Sequence, residues 1–183
     1  TKESILRLGM EFIQTYGYHS FSYADIAKEL KIKNAAVHYH FPGKEDLLAE
    51  IVEQYIQRYH ELARSLEKPG ISSRQKIQAF INRYTALCEH GKICLIGSVG
   101  SDYNTLPEKA KGKLTELVKL VLGLVEKVLR EGKKKGELNF SETARVKSIL
   151  IMTNLAAGVQ LARITGQQDY TAICNSVLKQ LTG

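Results

Sequence analysis

The chain contains no tryptophan, only three prolines and only three cysteines among its 183 residues. Helix-breaking prolines and runs of β-branched residues are both scarce, and this composition favours an all-α protein. The cysteines Cys88, Cys94 and Cys174 fit no zinc-binding or redox spacing, so we expect small buried apolar residues at these positions. A disulfide or a thiol sensor formed by Cys88 and Cys94 is the alternative.

Long uncharged apolar runs are also missing. The longest such stretch lies between Lys147 and Arg163, and it is interrupted by Thr153, Asn154 and Gln160. It is shorter than the ~18–20 residues that a membrane span needs. Acidic residues near the N-terminus interrupt any apolar segment of the kind found in a secretion signal. We therefore expect no membrane partner and a cytoplasmic location.

Positive charge is present in excess, with a formal net charge of +7, but it is unevenly distributed. Residues 1–45 carry six basic and five acidic side chains, whereas residues 109–135 carry nine basic and three acidic ones. The overall charge is therefore weak evidence for nucleic-acid binding. A local cluster is more informative, because attraction to DNA depends on a positive face at the contact. That cluster consists of Lys28, Lys31, Lys33 and Lys44.

The segment from Phe21 to Leu48 predicts two short helices, a tight turn between them and the start of a longer third helix. Ser22 followed by Asp25 is a capping pattern for the first of these helices. Asn34 is predicted to cap the second helix, and Pro42 disfavours the helical conformation at the residue before it. This order of elements is typical of a helix-turn-helix.

The segment resembles the DNA-binding headpiece of the TetR family of bacterial transcriptional regulators. The resemblance rests on Ile26-Ala27, Val37, Tyr39, His40-Phe41, Lys44-Glu45 and Leu47-Leu48, with Ile5-Leu6, Gly17 and Phe21-Ser22 upstream. It implies an all-α fold of about nine helices. A three-helix helix-turn-helix DNA-binding domain over residues 1–45 would be followed by a helical ligand-binding and dimerisation domain over residues 46–183.

Four positions depart from the family pattern. Lys31 stands where the family usually has Gly, and a left-handed turn there would cost roughly 1 kcal/mol relative to Gly. Lys33 replaces Ser or Thr, which moves the expected helix cap to Asn34. His38 stands where Tyr is usual, and Ile13 stands where an aromatic residue is usual. These changes affect the contact residues and the target sequence rather than the motif itself.

In a helix-turn-helix the second helix enters the major groove. We therefore expect DNA contacts from Ser22, Lys33, Asn34, Ala35, Ala36, His38, Tyr39 and Lys44. Asn34 can read adenine and Ala36 can contact a thymine methyl group. A lysine at a helix N-terminus opposes the helix dipole, and a phosphate bound across Lys44 would remove this conflict.

The C-terminal part carries several polar or polarisable side chains on otherwise apolar helix faces. Such a mixture is typical of a small-molecule cavity, as the resemblance also implies, although core or dimer packing is the alternative for each residue. The residues expected to bind a ligand are Tyr55, Tyr59, Tyr84, Cys88, Leu117, Val121, Met152 and Asn154. Because these faces contain no charged residue, a mostly apolar effector is expected.

The last two helices are more apolar than one subunit is expected to cover. Residues 149–164 are apolar almost all round, and the final helix has one strong apolar stripe. We expect a homodimer interface formed by Leu155, Val159, Ala162, Tyr170, Ile173, Val177 and Leu181. Because a twofold dimer presents two equivalent headpieces, it requires a pseudo-palindromic operator.

Catalytic and metal-binding motifs are absent from the sequence. The histidines lack ligand spacing, and there is no nucleophile elbow, phosphate-binding glycine loop or HExxH motif. We therefore expect no catalytic residue, no metal site and no cofactor. The favoured interpretation is a repressor released from double-stranded operator DNA by a small effector. An effector-stabilised activator or corepressor-type regulator is the first alternative. The second is an all-α carrier or enzyme with a structural helix-turn-helix. An enzyme would need a polar catalytic cluster, and the sequence shows none.

Overall fold

The computed structural model describes residues 1–181, which form nine α-helices and two 3-10 turns. The helices are α1 (Lys2–Tyr16), α2 (Tyr23–Leu30), α3 (Asn34–His40), α4 (Lys44–Leu66), α5 (Ser73–Glu89), α6 (Leu95–Gly100), α7 (Glu108–Lys134), α8 (Ala144–Thr165) and α9 (Gln167–Lys179). Within this range there is no β-strand. The all-α prediction with about nine helices is confirmed.

The first three helices enclose a small apolar core. Ile5 from α1, Ile26 from α2 and Val37 from α3 are all fully buried. Gly9 lets α1 approach α4 closely, because a Cβ atom at this position would lie only 3.0 Å from a methyl group of Leu47. One apolar side chain from each of the three helices is therefore buried in a shared core.

The chain divides into two compact units, and the border between them does not fall at residue 45. Unit 1 contains residues 1–58 and 95–118, and unit 2 contains residues 59–94 with the described residues from 119 onwards. Helices α4 and α7 each belong partly to both units. The division into functional domains at residues 1–45 and 46–183 stays a prediction.

Unit 1 combines the headpiece with α6 and the start of α7. The buried Ser98 of α6 donates a hydrogen bond from Oγ to the carbonyl oxygen of Ile13, at 2.5 Å. Lys109 of α7 pairs with Asp46 at 2.8 Å. This hydrogen bond from Lys109, followed by one from a backbone N–H, lowers the pKa of the Asp46 carboxyl group. These contacts link segments that are about fifty or more residues apart in the sequence.

Unit 2 is built on the packing of α5, α8 and α9 against one another. Helix α8 begins at Ala144, because Thr143 caps it by accepting a hydrogen bond from the N–H of Val146. Gly158 allows a close approach of α9, since a Cβ atom there would lie 3.0 Å from Ile173 Cδ1. By length and composition α8 could cross a membrane, as the core helices of many soluble proteins could. Its inward face packs within this unit.

The residues predicted to form the dimer interface belong to α8 and to the C-terminal segment that contains α9, and they pack within unit 2, so their role between subunits stays a prediction. Six of them are buried within unit 2 itself and the seventh, Ile173, is half-buried; the buried ones are Leu155, Val159, Ala162, Tyr170, Val177 and Leu181. Because α8 is apolar almost all round, hydrophobic periodicity could not distinguish its inward face from its outward one. The exposed apolar residues of α8 lie elsewhere on its surface.

Gly132 is a packing constraint of unit 2 that provides a direct test of the fold. A Cβ atom at this position would lie 2.6 Å from Leu138 Cδ1 and 2.7 Å from Ser73 Cβ. We expect Gly132→Ala to lower the free energy of unfolding by about 1–3 kcal/mol through overpacking. Urea unfolding measures this change.

The matched control is Gly123→Ala in the same helix, where an added Cβ would meet nothing within 4 Å. It should raise the free energy of unfolding by about 0.5–1 kcal/mol, because alanine favours helix. Equal effects of the two substitutions would contradict the described packing of α7 on the start of α5.

Candidate DNA-binding surface and effector site

The helix-turn-helix is fixed by local interactions that its sequence encodes. Ser22 and Asp25 form the predicted capping box at the start of α2, with the Ser22 N–H donating to the Asp25 carboxylate at 2.7 Å. Lys31 ends α2 in the left-handed conformation with φ of 54°, and it is the only non-glycine residue with positive φ between residues 1 and 181. The expected left-handed turn is confirmed, and the turn between α2 and α3 is therefore tight.

The outward face of α3 presents most of the residues that were predicted to contact DNA. Lys33, Asn34, Ala35, His38 and Tyr39 are exposed, and Ala36 is half-buried. The Tyr39 side chain is 85% exposed, so it makes little contribution to the headpiece core. A protruding phenol and amide beside two small alanines form a surface able to enter a groove and contact base edges.

One detail of this face differs from the sequence interpretation. Lys33, not Asn34, occupies the cap position of α3, and no side chain caps the helix. Asn34 is instead the first helical residue and its side chain is exposed. Its amide group is therefore not used in capping and is available for contact with a base.

Tyr23 holds α3 in place from behind. Its hydroxyl donates to the carbonyl oxygen of Gly43 at 2.6 Å, and its ring lies edge-on to His38 with 4.8 Å between the ring centroids. Burial, followed by the nearby carboxylates of Asp46 and Glu45, raises the pKa of Tyr23, so the hydroxyl stays a donor at neutral pH. His38 is thus oriented by a neighbour while remaining exposed.

Lys44 has a structural contact that the sequence did not indicate. Its ammonium group donates to the carbonyl oxygen of Phe21 and lies 3.9 Å from the centroid of the Phe21 ring. It also lies 5.0 Å from the ring centroid of Tyr18. Burial lowers the pKa of Lys44. The side chain therefore ties the start of α4 to the segment before α2 instead of extending into solvent.

Three other lysines give the surface around α3 its positive charge. Lys28, Lys31 and Lys33 are exposed. Within the described residues none of them forms an ion pair. Exposed cations without partners attract a polyanion, and their contribution decreases as salt screens it.

The interior of unit 2 contains a group of aromatic and polar side chains. Tyr59 of α4 and Tyr84 of α5 are buried, and the guanidinium group of Arg83 lies 4.7 Å from the centroid of the Tyr59 ring. The hydroxyls of Tyr84 and Tyr170 are both buried, and neither has a hydrogen-bond partner of acceptable geometry among residues 1–181. A buried hydroxyl without a partner is uncommon and indicates an unseen water molecule or a ligand.

The predicted ligand-binding residues fall into three groups. Tyr59, Tyr84, Cys88, Val121 and Met152 are buried in unit 2. Two further residues belong to unit 1, namely the buried Leu117 and the half-buried Tyr55, whose hydroxyl accepts a hydrogen bond from Gln14 at 2.8 Å.

Asn154 forms the third group by itself. It lies on the exposed side of α8 and does not line the interior of unit 2, so its role in ligand binding stays a prediction. Its position in a run of apolar residues suggested burial, but nearly every side of α8 is apolar, including the side that faces solvent.

Sequence reasoning also missed two features of unit 2. Arg83 does not belong to an apolar stripe, but its long side chain reaches over Tyr59. A groove of about 380 Å³ contains none of the predicted residues. It is lined by Ala63, Leu66, Glu67, Lys76, Lys119, Leu120, Gly123, Leu124, Lys127, Val128 and Glu131.

Cysteines and possible metal ligands give no sign of a redox or metal centre. Cys88, Cys94 and Cys174 are all buried and free, so no disulfide links Cys88 to Cys94. Burial, followed by the proximity of Cys174, raises the pKa of the Cys88 thiol and so disfavours its reactive thiolate. In the described part of the chain, no three His, Cys, Asp or Glu side chains come together as they do around a metal ion.

Comparison with known proteins agrees with this description. Residues 5–51 match the model for "Bacterial regulatory proteins, tetR family". The chain is 22% identical over 179 residues to the fatty acid metabolism regulator protein of Bacillus subtilis (strain 168), covering 97% of this chain and 91% of that protein.

Solved structures extend the likeness to the whole chain. A TetR-family transcriptional regulator from Agrobacterium tumefaciens superposes with a TM-score of 0.92 at 28% identity, covering 100% of this chain and 97% of that one. The regulator FadR from Bacillus subtilis in complex with stearoyl-CoA gives a TM-score of 0.70 at 24% identity, covering 98% and 96%. The second likeness shows the fold alone. The resemblance seen in the sequence is confirmed.

Proposed function

We propose that this TetR-family transcriptional regulator is a homodimeric repressor, which a small effector bound in unit 2 releases from a pseudo-palindromic operator. The observation that carries the DNA-binding part is the exposed outer face of α3. It combines Asn34, His38 and Tyr39 with unpaired lysines next to them. These side chains do not contribute to the core, and they project from a helix that can enter the major groove, so they are suited to contact with duplex DNA.

The proposed dimer uses the outward face of α8. Five of the eight large hydrophobic side chains that are exposed among the described residues belong to this helix: Val146, Ile149, Leu150, Leu161 and Ile164. They recur at helical spacing, so they form one stripe, and Ile164 is 85% exposed. An exposed apolar stripe of this kind is typical of an interface between subunits. In a twofold dimer two α8 helices would cover each other.

The effector is proposed to bind in unit 2. The unpartnered hydroxyls of Tyr84 and Tyr170 support this, because a ligand can supply their missing hydrogen bonds. The fold likeness to a regulator in complex with stearoyl-CoA is consistent with an effector that has a long apolar part. Because a regulator must reach its operator DNA, a cytoplasmic location is proposed as well. No enzymatic activity is proposed.

Chain continuity offers a route by which the effector can influence DNA binding. Residues 44–58 of α4 belong to unit 1 and residues 59–66 belong to unit 2, and α7 is shared in the same way. An effector that moves the part of α4 containing Tyr59 would therefore act on the helix that begins at Lys44 beside the headpiece. Release requires only that the protein has two conformational states, one with higher affinity for the effector and the other with higher affinity for the operator.

Fluorescence anisotropy with labelled operator DNA tests this function. Long-chain alcohols, acids and amides, together with stearoyl-CoA, would be titrated into the protein–operator complex. We expect at least one compound to weaken operator binding by roughly 5–150-fold, the range of a coupling of about 1–3 kcal/mol.

Other outcomes would identify the rival functions. Tight operator binding only in the presence of a compound would favour a corepressor-type regulator. A compound that binds equally well with and without operator would contradict release by this route. Absence of any salt-dependent DNA binding would favour a carrier or an enzyme with a structural helix-turn-helix.

A further inference from the structure

An arginine without a carboxylate partner stands beside a buried phenol that lacks a hydrogen bond. Arg83 is half-buried and forms no ion pair within the described residues, and its one described contact is with Tyr59. Its neighbour in the chain, Tyr84, is buried and has an unpartnered hydroxyl. Arg83 also donates a hydrogen bond to Tyr59, but no anion balances its charge in the described part of the chain. An anionic acceptor bound there could accept from both the guanidinium group and the Tyr84 hydroxyl.

We propose that the effector is a monocarboxylic acid with an apolar tail, whose carboxylate is bound by the guanidinium of Arg83 and the hydroxyl of Tyr84. The proposal rests on the function proposed above and names the chemical class of that effector. The sequence argument for a mostly apolar effector considered only residues on the apolar helix stripes and so omitted Arg83.

The chemistry of the two side chains fits a carboxylate. A planar guanidinium matches the two oxygens of a carboxylate, and charge-assisted hydrogen bonds of this type are about twice as strong as neutral ones. Burial, followed by the nearby Tyr59, raises the pKa of Tyr84 well above its usual value. Its hydroxyl therefore remains protonated and able to donate.

The surroundings of the two groups favour one negative charge and an apolar tail. Arg83 is the cation in contact with Tyr59, so a monoanion would neutralise it, whereas a dianion would leave an uncompensated charge at a desolvated site. The ring of Phe80 lies 5.4 Å from that of Tyr84, and Phe80, Ile77 and Ile81 of the same helix are almost fully buried. An alkyl chain next to the carboxylate would meet apolar side chains.

The hydroxyl of Tyr170 is a second possible donor to the same acid. It is also buried without a hydrogen-bond partner of acceptable geometry, and its proximity contributes to the raised pKa of Tyr84. Tyr170 belongs to α9, whereas Tyr84 belongs to α5. Two phenols from different helices would thus become satisfied by one ligand.

Calorimetric titration of the dimer with butanoate, octanoate and dodecanoate, each paired with its primary amide, tests the proposal. We expect the best acid to bind at least tenfold more tightly than its amide, because only the acid supplies a charged acceptor. Arg83→Gln should abolish this preference. Arg74→Gln, an exposed substitution on the same helix, is the matched control and should preserve it.

Tyr84→Phe separates ligand binding from a structural role of the hydroxyl. Because this hydroxyl has no hydrogen-bond partner of acceptable geometry in the described structure, its removal should leave the melting temperature unchanged or raise it, while weakening acid binding about tenfold. A lower melting temperature with unchanged acid affinity would overturn its proposed role.

The outcomes distinguish this inference from the function on which it rests. If amides bind as tightly as acids and release operator DNA equally well, the carboxylate inference is wrong and the effector-released repressor stands. If acid binding is unaffected by Arg83→Gln, the assigned site is wrong. If no compound of either series binds or alters operator affinity, both the inference and the effector part of the proposed function are contradicted.

Discussion

Two glutamates on the exposed face of α8, introduced as Leu150→Glu with Leu161→Glu, are expected to make the protein monomeric and to weaken operator binding at least about 100-fold. Both leucines are more than 40% exposed in the single chain. The fold of each subunit should therefore tolerate the change. In a twofold dimer the pair of substitutions would place four carboxylates in one apolar interface, where burying unpaired charge is strongly unfavourable.

The loss of operator affinity follows from the loss of bivalent binding. A dimer binds its second half-site intramolecularly, which increases overall affinity by about 10²–10⁴ without any new contact. A monomer that keeps an intact headpiece retains only the affinity for one half-site. The substitution therefore changes DNA binding through residues that lie outside the headpiece.

Light scattering and operator titration would be measured on the same samples. Asn82→Glu, which adds a carboxylate at an exposed polar position of α5, is the control and should remain dimeric with unchanged operator affinity. Retention of the dimer by the double variant would show that the subunits meet through another surface. Unfolding of the double variant would show instead that this face is needed within one chain.

Asn34→Ala combined with Tyr39→Ala is expected to weaken specific operator binding by at least about 100-fold without lowering the stability of the protein. Both side chains project from α3 into solvent, so removing them should change the free energy of unfolding by no more than about 0.5 kcal/mol. A lost bidentate contact with a base costs about 1–3 kcal/mol in discrimination. In the proposed pseudo-palindromic operator each contact is lost twice, once in each half-site.

Lys33→Ala distinguishes contact with phosphate from contact with bases. We expect it to weaken binding to all sequences and to flatten the dependence of log affinity on log salt concentration by about one unit per phosphate contact. Lys134→Ala, a charge change at the exposed end of α7, is the control and should leave the slope unchanged.

The same comparison tests the role of Asn34. Equal loss of specific and non-specific binding for Asn34→Ala would show that Asn34 does not read a base.

Lys44 is unsuitable for this experiment, although its position suggested a phosphate contact. Its ammonium group donates to the Phe21 carbonyl and stacks on the Phe21 ring. Lys44→Ala would leave the Phe21 carbonyl without its partner and loosen the junction between α2 and α4. A loss of DNA binding could then come from a distorted headpiece rather than from a missing charge.

The helix-turn-helix was predictable from the sequence because its signals are local. The Ser22–Asp25 capping box, the left-handed turn at Lys31 and the stop at Pro42 each act within a few residues. Local chemistry of this kind does not depend on the remaining chain.

Features that depend on tertiary packing could not be predicted in the same way. The two faces of α8 have similar apolar character, so Leu155 and Leu161 were indistinguishable although one is buried and the other is exposed. Arg83 is adjacent in sequence to a stripe residue, and only the fold shows that its side chain covers Tyr59. The contact of Lys44 with Phe21 joins residues separated by a whole helix-turn-helix.

Selection of bound fragments from random duplex DNA tests recognition of DNA through α3 directly, because the protein itself then identifies the operator sequence. We expect the wild-type protein to enrich a pseudo-palindrome with two half-sites on one face of the duplex. We also expect Asn34→Ala to relax the preference at one base pair in each half-site. Failure of the wild-type protein to enrich any sequence, or enrichment of the same sequence to the same degree by the Asn34→Ala, Tyr39→Ala variant, would contradict recognition of DNA through α3.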